Sequence, residues 1–254
     1  MLTVVTPSLN SAEVFEHCLR SVAEQALTPG IEVEHILVDG ESSDGTVALA
    51  RGINPRLHVI SAPPDGIYAA LNRGIAAAAG AVVGVLHADD FYADAGVLGR
   101  VAAAFADPAV GACYGDLCYV DRADSSRVVR YWRAGEFRPE RFANGWMPPH
   151  PTFFLRRELY LLHGLYRNDL GTAADYELML RMLLKHGVGA AYLPRVLVHM
   201  RSGGASNVSW RARLAANRMD RRAWRVNGLR PRPWTTLAKP LRKLGQWWRR
   251  GETH

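Results

Sequence analysis

Val82-Val83-Gly84-Val85-Leu86-His87-Ala88-Asp89-Asp90 decides how this chain reads: an unbroken apolar run that stops abruptly at two carboxylates. A run that is apolar at every position fits a strand covered on both faces, as in a parallel sheet. The same pattern recurs upstream. Residues 2–6 read as a strand running into Thr6-Pro7-Ser8-Leu9-Asn10, and 34–38 as a strand running into Asp39-Gly40-Glu41-Ser42-Ser43-Asp44-Gly45-Thr46. Residues 57–61 read as a third strand, followed by Pro64-Asp65-Gly66-Ile67-Tyr68. Helical periodicity fills the intervals at 11–26 with Ser11 as N-cap, at 44–51 opened by Asp44, and at 67–79 ended by Gly80. A helix at 95–106 and a strand at 110–114 extend the rhythm. Alternation of this kind predicts an α/β fold with a parallel sheet, right-handed crossovers and helices on both faces. Ligands bind such sheets outside the carboxyl ends of the strands, where every polar cluster of this half falls.

The second half changes character. Residues 117–120 and 127–132 read as an antiparallel pair, followed by a loop rich in Pro and aromatics over 137–151. Next come a strand at 152–155, helices at 157–163 and 173–185, and a last strand near 190–193. Residues 202–209 (SGGASNVS) read as a linker. The predicted division is a body at 1–208, with halves at 1–116 and 117–208, and a tail at 209–254.

The tail concentrates the charge. The chain has a formal net charge of +7, yet residues 211–254 hold 13 Lys/Arg against only Asp220 and Glu252, which leaves the body mildly acidic. Trp210, Trp224, Trp234, Trp247 and Trp248 lie in it. Helical patterns at 210–226 and 236–250 predict a basic helical extension, the second with Leu237, Leu241, Leu244, Trp247 and Trp248 on one face. Such a segment is expected to hold the protein on an anionic membrane surface. Packing of the first helix on the body, with the second at a homodimer contact, is the alternative.

Composition excludes several classes. At 254 residues, 48% hydrophobic and 22% charged, the chain is of ordinary globular make-up, which rules out collagen, coiled coil and wholesale disorder. Cys18, Cys113 and Cys118 have no metal-ligand spacing and fit a reducing compartment. The N-terminus lacks the charged region of a signal peptide, and the longest apolar stretch, 74–86, is too short to span a bilayer. The expected location is cytoplasmic, peripheral on the inner face of the plasma membrane.

Carboxylates gathered at neighbouring strand ends repel one another unless a cation or hydrogen-bond donors meet them, and hard divalent cations take carboxylate oxygens. Helix capping by Asp90 or Asp94, and by Asp44, is the competing explanation. Taken together, VVTPSLN, VDGESSDGT, PDGIYAALNRGIAAAAG and VVGVLHADDFY resemble the family 2 (GT-A fold) glycosyltransferases in order and spacing. His150-Pro151-Thr152-Phe153-Phe154, Gly164-Leu165-Tyr166, Ala174-Asp175-Tyr176-Glu177-Leu178 and Arg201-Ser202-Gly203-Gly204-Ala205-Ser206 continue the likeness. This later pattern looks like the bacterial subgroup that assembles exopolysaccharide and cell-surface glycans.

The resemblance implies a mixed, mostly parallel GT-A sheet and a set of roles. Thr6, Pro7, Ser8 and Asn10 would bind the donor nucleotide, with Asp39 accepting from the base and Asp65, Gly66 and Arg73 near the nucleoside. Asp90 would be the main ligand of Mg²⁺ or Mn²⁺ on the sugar diphosphate, with Asp89 contributing to ribose or metal. Asp175 would be the base of an inverting transfer, and His150, Tyr176 and Arg201 would contact a glycan or lipid-linked acceptor. The chain departs from its relatives at Ala69, where Asp is common, and at His87-Ala88, where Asn-Ser is common. It lacks the QxxRW-type motif of processive synthases, which favours single transfer. A nucleotidyltransferase would need a Gly-rich basic loop after the first strand, and Pro7-Ser8-Leu9-Asn10 is no such loop. Nucleic-acid binding through the tail would leave the strand-end carboxylates unexplained, so no nucleic-acid partner is expected.

Overall fold

The computed structural model describes residues 1–203, 210–232 and 234–235. The first half follows the predicted alternation: β1 (Leu2–Ser8), α1 (Ala12–Ala23), β2 (Val33–Asp39), α2 (Thr46–Ile53), β3 (His58–Ser61), α3 (Ile67–Ala77) and β4 (Val82–Val85). β1, β2, β3 and β4 pair in parallel in the order β3-β2-β1-β4. The predicted caps work differently. The Ser11 side chain makes no cap bond. Asp44 instead accepts from the Ala12 amide through Oδ2 (2.9 Å) and from the Thr46 amide through Oδ1 (3.0 Å), so one carboxylate fastens the starts of both helices. The Thr46 hydroxyl, which also donates to Oδ1, and then the Ala12 amide hold the Asp44 carboxyl below its ordinary range.

The remaining elements are β5 (Phe91–Tyr92), α4 (Val97–Ala104), β6 (Ala112–Val120), β7 (Val128–Trp132), α5 (Pro139–Ala143), β8 (Phe154–Arg156), α6 (Arg157–His163), α7 (Ala174–Met179), β9 (Ala190–Arg201) and α8 (Trp210–Val226). They make the sheet mixed. β8 inserts antiparallel between β4 and β6, and the full order is β3-β2-β1-β4-β8-β6-β9-β5, with β7 antiparallel on β6. The strands predicted at 110–114 and 117–120 are one strand, β6. The one predicted at 190–193 runs on to Arg201, because a register shift at Gly115/Asp116 passes over Pro194 and Arg195. A bulge tolerates the proline, which has no amide to donate to a ladder. The helix predicted at 173–185 divides into α7 and one wider turn at Leu180–Lys185.

One hydrophobic core lies on each face of the sheet. Their closest approaches need glycine: a Cβ at Gly74 of α3 would sit 2.3 Å from Val5 of β1, and one at Gly84 would sit 2.3 Å from the Phe154 ring.

α8 packs on the body, the alternative given above for the first tail helix. Trp224 is 3% exposed, and its indole N–H donates to the Tyr176 hydroxyl at 2.8 Å. Asn227 donates to Glu177 Oε1 (3.0 Å), itself paired in the interior with Arg181, and Arg222 reaches Asp169 (2.7 Å). The packed body therefore continues past 208, through Thr235, whose hydroxyl donates to the Ala143 carbonyl. The second predicted tail helix, 236–250, lies outside the described residues.

Candidate functional site

Three groups of residues meet at the carboxyl ends of the parallel strands. The first forms a pocket of about 240 Å³ whose lining includes Pro7 and Ser8 of β1, Asp39 and Gly40 after β2, and Asp65, Gly66 and Arg73 of the third segment. Asp39 is buried and accepts from the Ser42 amide (2.8 Å) and hydroxyl (2.6 Å), which fixes its carboxylate at the pocket wall. Gly40 lets two loops close on each other, since a Cβ there would lie 3.4 Å from the Ser8 carbonyl and 3.3 Å from Leu9. Arg73 and Asp65 form a two-bonded ion pair, and this holds the Asp65 carboxyl below its ordinary range. The Ser8 hydroxyl is buried without a partner. It remains available to a ligand.

Two predicted donor residues stand apart from this pocket. Thr6 is fully buried and pairs with His35 Nε2 (2.9 Å), whose imidazole burial pushes down to about 4. Asn10, in the left-handed region at φ 49°, accepts from the Ser43 amide (3.0 Å) and joins the loop after β1 to the loop after β2.

The second group follows β4. The chain turns after β4, the Asp90 amide donating to the His87 carbonyl at 3.0 Å, and His87, Asp89 and Phe91 are half-buried while Ala88, Asp90 and Tyr92 are buried. This divides the predicted metal pair. Asp90 is 1% exposed, neither carboxylate oxygen has a hydrogen-bond partner, and burial followed by the charge of Asp89 raises its carboxyl well above the ordinary range. Asp89 is half-buried and its carboxylate has no hydrogen bond or ion pair to the described residues. A half-exposed, unpartnered carboxylate suits a divalent cation better than one sealed in the interior. By exposure, Asp89 rather than Asp90 presents the carboxylate open to a cation.

The third group is centred on Asp175. Tyr68, in the first turn of α3, donates its hydroxyl to Asp175 Oδ2 at 2.8 Å across 107 residues of sequence. Burial first, then the Asp175 charge, raises the Tyr68 phenol, so it stays protonated as a donor. The His150 and His87 rings meet edge-to-face at 5.8 Å. Burial and then His150 lower the His87 imidazole, opposed by Asp175 and Asp89. Asp175, His150, His87 and Asp89 thus share one electrostatic neighbourhood.

Two predicted acceptor contacts lie elsewhere. Tyr176 is buried and holds Trp224. Arg201 is pinned to His17 Nδ1 (2.7 Å) and the Arg122 carbonyl (3.3 Å), on the α1 side of the sheet. His199 of β9 packs against the Phe91 ring of β5. Tyr68 is the residue that sequence reading missed, because nothing local pairs it with an aspartate more than a hundred positions away.

The family model described as Glycosyl transferase family 2 matches residues 3–164. A "PGL/p-HBAD biosynthesis glycosyltransferase" of Mycobacterium bovis is 32% identical over 212 residues, 82% of this chain and 79% of that protein. Among solved structures, Staphylococcus aureus TarS 1-349 in complex with UDP superposes with a TM-score of 0.64 at 18% identity. That match covers 87% of this chain and 64% of TarS 1-349, just under two thirds of its length. The mannosyltransferase PcManGT from Pyrobaculum calidifontis, in complex with GDP-Man and Mn²⁺, superposes with a TM-score of 0.64 at 20% identity, over 95% of this chain and 68% of that one. The fold is that of the GT-A glycosyltransferases.

Proposed function

Since this chain belongs to the family 2 glycosyltransferases, we propose that it transfers a single sugar, with inversion, from a nucleotide-sugar donor to a glycan or lipid-linked acceptor. A uridine nucleotide is the donor to test first, and cell-surface polysaccharide or glycolipid synthesis is the setting. The observation that carries the reading is the Tyr68–Asp175 pair beside His87, His150 and Asp89, next to the strand-end pocket. The UDP and the GDP-Man with Mn²⁺ held by the two structural neighbours support a nucleotide donor and a divalent metal.

In this reading Asp39, held by Ser42, accepts from the base, and Pro7, Ser8, Asp65, Gly66 and Arg73 enclose the nucleoside. Asp89 offers its free carboxylate to the cation. Mg²⁺ or Mn²⁺ bound there would offset charge on the departing diphosphate. Tyr68 orients Asp175, and His150 lines the acceptor side. Asp175 takes the acceptor hydroxyl's proton as that oxygen bonds to the anomeric carbon and the bond from that carbon to the diphosphate oxygen breaks. An α-linked donor then gives a β-glycoside. UDP with Mn²⁺ should raise the melting temperature of the full chain, and an oligonucleotide should not. Stabilisation by the oligonucleotide alone would favour the nucleic-acid reading.

No helix among the described residues is long and apolar enough to cross a membrane. We propose that the basic segment after Thr235 carries the enzyme to the anionic inner face of the plasma membrane. Because α8 and Trp224 belong to the body, the clean truncation is after Thr235, not at the predicted linker. It should keep donor hydrolysis and abolish cosedimentation with anionic liposomes; unchanged cosedimentation contradicts the proposal.

A further inference from the structure

Consecutive residues of α7 take partners from opposite ends of the chain. Asp175 accepts from the Tyr68 hydroxyl (2.8 Å), Tyr176 from the Trp224 indole N–H (2.8 Å), and Glu177 from the Asn227 side-chain amide (3.0 Å). Trp224 lies in the last turn of α8 and Asn227 just past its end. Arg222 of the same helix donates to Asp169 Oδ2 (2.7 Å), in the turn Asn168–Ala173 that leads into α7. α8 therefore grips the chain on both sides of Asp175.

α7 has little of its own to hold it. It runs for six residues before the path widens at Leu180, and a helix of that length is marginal by itself. Ala173 at its N-cap offers no capping side chain, and Gly171 just upstream breaks the helical path at φ 49° and ψ −136°. The bonds to α8, by contrast, are made in the interior: Tyr176, Glu177, Trp224 and Asn227 are each at most 5% exposed. Arg181 fixes Glu177 further, donating to both of its oxygens (3.0 Å each) and to the Gly164 (2.6 Å) and Leu165 (2.7 Å) carbonyls. Asn72, on the same helix as Tyr68, exchanges bonds with the Tyr166 backbone at 2.9 Å in each direction. Both members of the Tyr68–Asp175 pair thus rest on one framework, and α8 closes it.

Two fixed side chains set the rotation of a helix about its axis, and that rotation sets where the residue before them points. A carboxylate lies about 5 to 6 Å from the axis, so a rotation of about 10° moves it by about 1 Å. Misplacement of that size costs up to about 10²-fold in rate. We infer that Trp224 and Asn227 are positioning residues for the transfer: through Tyr176 and Glu177 they lock the rotation of α7 and so aim Asp175 at the acceptor hydroxyl. The inference rests on the reading of Asp175 as the base.

Release of UDP from a UDP-sugar with Mn²⁺, water standing in for the acceptor, tests it in full-length Trp224→Phe, Asn227→Ala and Tyr176→Phe, each alone and combined with Asp175→Asn. Trp224→Phe keeps an aromatic ring in the core and removes the N–H, and Tyr176→Phe removes the acceptor of the same bond. Each single variant, assayed below its own melting transition, should lose about tenfold in kcat with donor KM and UDP affinity nearly unchanged. In the Asp175→Asn background none should lower kcat further, because a misaimed base costs nothing once the base is gone. Destabilised packing alone would add its loss in both backgrounds. Tyr176→Phe stands in if Trp224→Phe misfolds. Unchanged kcat in the single variants, or an equal further loss in the Asp175→Asn background, overturns the inference. A mild loss in Asp175→Asn alone would instead count against Asp175 as the base and take the inference with it.

Discussion

Asp175→Asn should cut turnover by about 10²- to 10⁴-fold, the usual contribution of a positioned general base, with donor affinity nearly unchanged. The amide is nearly isosteric with the carboxylate and can still accept from Tyr68, whose hydroxyl lies 2.8 Å from Oδ2, so the local geometry survives. What it cannot do is take the proton of an attacking hydroxyl. A drop in kcat without a change in nucleotide binding therefore isolates proton transfer. Tyr68→Phe is the companion variant. It removes the bond that orients the base but keeps the base, so its loss should be smaller than that of Asp175→Asn. A mild effect of Asp175→Asn would reduce Asp175 to a helix-start residue.

The second large effect separates adjacent carboxylates. Asp89→Ala should abolish the metal-dependent part of nucleotide binding, measured by titrating UDP with and without Mn²⁺. Asp90→Asn should keep the metal requirement, because Asp90 is buried, 1% exposed. Asn keeps the shape there and brings no charge that burial must accommodate. The opposite outcome, with Asp90→Asn abolishing the Mn²⁺ requirement and Asp89→Ala keeping it, would restore the assignment made from the resemblance.

The position of these residues in the fold was legible in the sequence, and their directions were not. β1, β2 and β4 announce themselves as short apolar runs, and the polar clusters after them do line the strand ends. What decides between Asp89 and Asp90 is the turn beyond β4, closed by the Asp90 amide on the His87 carbonyl, which leaves Asp89 half-exposed and buries Asp90. Helix geometry does the same at Asp175 and Tyr176. Successive residues point about 100° apart, so one faces Tyr68 while the next locks Trp224. The insertion of β8 between β4 and β6, the length of β9 past Pro194, and the docking of α8 depend on pairings between distant segments. No local periodicity encodes those. A basic, Trp-rich helix looks alike whether it faces lipid or protein until the partner of its indole is known.

The most direct test of the central claim, a single displacement at this site, is the stereochemistry of donor hydrolysis, in which water stands in for the acceptor. Proton NMR of the first minutes of reaction with an α-linked nucleotide sugar and Mn²⁺ reads the released sugar before it mutarotates. The arrangement around Asp175 predicts that the β anomer appears first. Initial release of the α anomer would contradict it.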